Sequence, residues 1–242
     1  MRAGFRILVV SIIGICLLSG CRNAGKKAKP LDGVAAFWEG TVLLEDDISL
    51  SEDRFADFAQ LAVEAPEDEA FAALDRLFDR LKAEDEVAYY VYSGWIDGAF
   101  YNLLSPCHNA KLYTRAVDRI VSDGVLTEDE CTPFIRRRNW AQYNQAGEPA
   151  TVPGITVSER TLVLVLDQSC PSCHEALTSL AQNSEWAEMR RVAFCCGYGP
   201  VPTVPGWEYV DGDNSIFDPK MTPIFFVVAA DGSVESPYQL AL

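Results

Sequence analysis

Residues 161–174 read TLVLVLDQSCPSCH. The run Thr161 to Leu166 is apolar, β-branched and too short for a helix, so it predicts a buried parallel strand. Asp167, Gln168 and Ser169 form a turn. Pro171 suits the first position of a helix, where its missing N–H costs nothing. Cys170 then falls at the N-cap, facing free N–H groups and the positive end of the helix dipole. That environment lowers a thiol's pKa and enriches the reactive thiolate. Cys173, three residues on, shares a face with Cys170 and lies within reach of it. A strand followed by CxxC at a helix start is the layout of a thiol–disulfide exchange site.

A second stretch, Met221-Thr222-Pro223-Ile224-Phe225-Phe226-Val227-Val228, precedes an Asp231-Gly232 hairpin turn. The two stretches together, in this order, resemble thioredoxin-like proteins. The resemblance implies that Pro223 is cis and faces the CxxC pair. It also implies that Thr222 pairs through its backbone with an extended substrate. Cys170 would attack a substrate disulfide and Cys173 would resolve the mixed disulfide. The only redox group implied is the Cys170–Cys173 disulfide itself, with no separate cofactor and no metal. Around the CxxC pair the sequence departs from the family in two places. Ser169 stands where thioredoxins carry a Trp, and Leu164 stands where they carry a buried acid. A structural disulfide in a non-enzymatic binding module is therefore the competing reading.

Three further residues are candidates. His174 could tune the Cys170 thiolate by charge. Cys195 and Cys196 are adjacent on a strand, so they point to opposite faces. One of them could serve as an extra redox cysteine or join His174 in a soft copper or zinc site. Buried free thiols remain the plainer alternative for both.

The 242-residue chain has a net charge of −15, which argues against nucleic acid, since phosphate binding needs a basic footprint. Residues 1–20 have the plan of a signal peptide, with Arg2 and Arg6 before an apolar run. The segment ends in Leu18-Ser19-Gly20-Cys21, which resembles the lipobox of bacterial lipoproteins, cleaved before Cys21 and acylated on it. The resemblance implies lipid anchoring in the cell envelope, on the outer membrane facing the periplasm. Its implied partners are the thiols and disulfides of exported proteins and a membrane electron donor. Residues 21–33 read as a tether.

From Val34 the pattern turns helical, with Phe37 and Trp38 as core anchors. Five helices are expected. One begins at the capping-box pair Ser49 and Glu52, and one follows Pro66. A third runs from Glu86 to Tyr101 and carries Val87, Tyr90, Val91 and Trp95. A fourth spans Ala110 to Ser122, and the fifth opens at the Thr127/Glu130 box. Cys107 and Cys131 flank different helices and are expected not to be linked. This half resembles a domain of unknown function that precedes thioredoxin-like domains in some bacterial lipoproteins. Gly147-Glu148-Pro149-Ala150 resembles the opening of extracytoplasmic, TlpA-like thioredoxin-like domains. The expected fold class is α+β in two domains: an all-α bundle over residues 34–146, then a shortened thioredoxin-like α/β domain over 147–242. Residues 197–221, rich in Pro and Gly, are expected to form an irregular loop. Too little chain follows the last strand for a closing helix, so the helical half is expected to cover the bare sheet face.

Overall fold

The structure, a computed structural model, describes residues 34–197, 199–200, 203–212 and 215–241. Residues 1–33, which include the expected signal segment, Cys21 and the expected tether, lie outside the described residues. No helix among the described residues is long and apolar enough to cross a membrane.

The helical half contains α1 (Ile48–Glu64), α2 (Glu67–Glu84), α3 (Glu86–Ile96), α4 (Ala110–Asp123) and α5 (Glu128–Gln142). Its centre is aromatic: Trp38 packs on Phe58 and Tyr92, and Phe55 on Tyr92, Trp95 and Phe100. The Thr127/Glu130 capping box forms as read. α1 starts earlier than read, because Asp47 rather than Ser49 caps it and accepts the Ser49 N–H. The face of α3 also differs from the reading. Tyr89, Tyr92 and Ile96 are buried, whereas Val87 is 64% exposed. The tyrosines can be buried because their hydroxyls find partners: Tyr92 donates to the Leu43 carbonyl at 2.6 Å and Tyr89 to Asp123 at 3.0 Å. α3 ends in a π turn, Asp97–Tyr101.

The second half is a mixed five-stranded sheet. Its strands are β1 (Thr161–Asp167), β2 (Arg190–Cys196), β3 (Glu208–Gly212), β4 (Ile224–Val228) and β5 (Val234–Leu240), in the order β3-β2-β1-β4-β5. β1 and β2 are parallel, with Leu166 opposite Cys195 and Asp167 opposite Cys196, and β4 and β5 are antiparallel. α6 (Pro171–Gln182) follows β1 directly. Strand β3 lies inside the segment read as an irregular loop. It adds an edge strand parallel to β2, and Trp207 before it pins that segment to α6 by donating to the Leu177 carbonyl at 3.1 Å.

Because strand side chains alternate, the sheet has two distinct faces. Leu162, Leu164, Leu166, Cys195 and Val227 pack under α6. Val163, Val165, Phe194, Cys196 and Phe226 pack on the other side. That second face is closed mainly by Val152, Ile216 and Phe217 from two loop segments, with Leu103 and Tyr143 from the helical half at its border. The helical half thus covers part of the face expected to be bare, and the chain's own loops cover the rest. The two halves belong to one compact unit. Met221 packs into both cores, and Asn144 donates to Tyr238 and accepts from the Thr151 N–H. The Gly147–Ala150 segment pairs with the β4–β5 hairpin through the Gly147 N–H to Val234 and the Ala150 N–H to Gly232.

Candidate functional site

Cys170 is the N-cap of α6, in extended conformation, with Pro171 opening the helix. The apolar β1 strand fixes the start of the turn, and Asp167 shapes the rest by accepting from the Ser169 N–H and hydroxyl. Cys170 is partly exposed and Cys173 is fully buried against β1. The two thiols therefore differ sharply in setting. Burial opposes ionisation of Cys170, but the Cys173 thiol, the backbone N–H groups of Cys173 and Ser172, and the Ser172 hydroxyl together outweigh it. They hold the Cys170 thiol below its ordinary pKa. Burial, reinforced by the neighbouring Cys170 sulfur, holds the Cys173 thiol well above its ordinary pKa, against smaller pulls from the Asp167 amide and the Thr222 hydroxyl. Ser172 was not singled out in the sequence. The signal was available, since a serine in the first turn of a helix readily makes local hydrogen bonds to groups beside it.

The Thr222–Pro223 peptide bond is cis, and the Thr222 hydroxyl faces the Cys173 sulfur. Thr222 closes a short 3-10 turn, Pro219–Met221, with its N–H 3.5 Å and its hydroxyl 2.8 Å from the Pro219 carbonyl. Residues 170, 173 and 222, some 50 positions apart in sequence, are thus brought together. His174 is exposed and its Nε2 donates to the Gln168 carbonyl at 3.1 Å, tying the first turn of α6 to the turn that carries Cys170.

Cys195 and Cys196 do point to opposite faces. Cys195 shares the core beneath α6 with Cys173, and its pKa is pushed up to about 11 by burial and by the charge of Asp211. Cys196 lies in the opposite core. Among the described residues no group of three or more His, Cys, Asp or Glu side chains is placed to hold a metal ion, so the soft metal site considered for these cysteines with His174 is not assembled. Cys107 and Cys131 face different surroundings. The Cys107 thiol points to Gln60, and the Cys131 thiol to the Ile120 and Leu126 carbonyls.

A crystal structure of a thioredoxin-like protein from Bacteroides caccae superposes with a TM-score of 0.66 at 17% identity, over 86% of this chain and 87% of that one. The fold is thioredoxin-like. The match covers far more than the sheet half, so the helical half takes part in it as well. No protein-family model matches the sequence, and no curated protein matches it.

Proposed function

We propose that the protein is a thiol–disulfide oxidoreductase acting through Cys170 and Cys173. The observation that carries this reading is the asymmetry of the pair: an accessible thiol with a lowered pKa beside a buried one with a raised pKa. The Cys170 thiolate attacks one sulfur of a substrate disulfide. The substrate S–S bond breaks, a mixed disulfide forms, and the first substrate thiolate leaves and takes up a proton. Cys173 then loses its proton and attacks the Cys170 sulfur, releasing the second substrate thiol and leaving Cys170 and Cys173 oxidised. A dithiol reductant returns the pair to its starting state, and the same steps in reverse oxidise a substrate. With the Thr222 N–H directed at Pro219, pairing with a substrate backbone falls to the Thr222 carbonyl. His174 holds the turn bearing Cys170.

The lipobox-like end at Cys21 supports anchoring in the bacterial cell envelope, on the periplasmic side of the outer membrane. Substrates would then be exported proteins, with a membrane electron donor as the second partner. The Gly147–Ala150 segment and its pairing with the hairpin support the TlpA-like variety.

One observation favours a second reading, a binding module with a structural Cys170–Cys173 disulfide. Cys173 is packed among apolar side chains, Leu162, Leu164, Leu166 and Cys195 among them, and its burial opposes the thiolate that resolution of a mixed disulfide needs. The reduction potential of the pair decides between the two. It is measured by titration against glutathione or dithiothreitol with alkylation and mass readout. A value between about −120 and −270 mV supports exchange, and one below about −300 mV supports the structural disulfide.

A further inference from the structure

A buried hydrogen bond from the helical half, starting at the π turn that ends α3, reaches the segment that leads to the cis-proline. Such turns are frequent where a helix carries a functional residue. Tyr101 is the last residue of that turn and is buried. Its ring packs on Tyr113 with centroids 5.0 Å apart, and the Arg137 guanidinium sits 5.9 Å above it. Arg137 is held by Asp97 at 2.7 Å, and the same carboxylate accepts the Tyr113 hydroxyl at 2.7 Å. The ring of Tyr101 is thus clamped from two sides.

The Tyr101 hydroxyl donates to Asp218 Oδ2 at 2.8 Å. Asp218 is only 6% exposed, and its Oδ1 accepts the Lys220 N–H at 2.9 Å, capping the Pro219–Met221 turn. Thr222 ends that turn, precedes the cis bond and faces Cys173. Met221, in the same turn, is gripped by both cores. A small pocket at this seam is lined by Tyr101, His108, Phe217, Asp218 and Met221. Burial and the Asp218 charge raise the Tyr101 phenol far above its ordinary pKa, which keeps it a donor at neutral pH.

We propose that Tyr101 is a positioning residue of the exchange site: through Asp218 it fixes the 218–223 turn against Cys173, so the helical half sets how a substrate backbone meets Cys170. This rests on the exchange reading of the Cys170–Cys173 pair.

The test uses the full chain carrying Tyr101→Phe, Asp218→Ala or both, and two readouts. The first compares the exchange rate toward a peptide disulfide, which must pair with the loop, with the rate toward Ellman's reagent, which need not. Tyr101→Phe is expected to slow the peptide reaction about tenfold or more, the scale of one lost hydrogen bond to a charged group. The reaction with Ellman's reagent is expected to stay within about twofold, and the double variant to be no slower than Asp218→Ala. The second readout is amide hydrogen exchange of residues 218–224, expected to accelerate about tenfold in Tyr101→Phe. An active wild type whose peptide rate is unchanged in Tyr101→Phe overturns the inference alone. So does an equal fall in both rates, which marks a purely structural role, or an unchanged amide exchange. A wild type that exchanges with neither reagent overturns the exchange reading and this inference with it.

Discussion

Tyr101 and Asp218 are 117 residues apart in the chain and 2.8 Å apart in the fold. The bond joins the last turn of the α3 region to the segment that leads into the cis-proline. The seam around it is shared by the two halves. Ile216, Phe217 and Met221 line it from the sheet side, and Tyr101, Leu103 and Trp140 from the helical side.

A fragment of residues 147–242 is therefore expected to fold poorly alone. Each large apolar side chain returned to water costs about 1.5–3 kcal/mol, and a domain has only about 5–15 kcal/mol in hand. Thermal unfolding followed by circular dichroism should show a broad, non-cooperative transition. A sharp transition near that of the full chain would show that the sheet half is self-sufficient.

The two thiols should separate by pH. The Cys170 thiol, with its pKa lowered, should react with iodoacetamide along a curve whose inflection lies below that of an ordinary thiol, and Cys173 should stay unreactive well into the alkaline range. The effect has a sign that can be checked. Ser172→Ala removes a group that favours the thiolate, so the Cys170 inflection should move up. Mass readout at each pH measures both cysteines in one experiment.

Cys173→Ser should trap the mixed disulfide, because attack by Cys170 proceeds and resolution does not. Incubation with a peptide disulfide should give a reducible adduct on Cys170, visible by intact mass. Cys170→Ser should give none. Equal adducts from both variants would contradict the assigned roles.

Gly212 lies at the end of β3, and a Cβ there would sit 2.0 Å from the Phe194 ring. Gly212→Ala forces that buried ring to move, and overpacking of this kind costs about 1–3 kcal/mol. Denaturant titration should show the midpoint falling with the slope unchanged.

The sequence was legible wherever the physics is local. The apolar run of β1, Pro171 at the first position of α6 and the Thr127/Glu130 box each depend on neighbours within a few residues, and each formed as read. Local periodicity failed on α3, where it picked Val87 and missed Tyr89 and Tyr92, since the burial of a tyrosine depends on a distant partner for its hydroxyl. It failed also on β3, a short edge strand whose residues alternate little and are set by pairing with β2.

By itself the sequence determined where Cys170 and Cys173 sit on their helix and that a Thr-Pro step follows them, because N-capping and the constraints of proline act within a few residues. Only the tertiary structure decided that Thr222 faces Cys173, that Cys195 shares the core with Cys173 while Cys196 does not, and that Tyr101 reaches Asp218. Those relations depend on how the sheet closes and how the helical half packs on it, and packing between segments that far apart leaves no periodic trace in the chain.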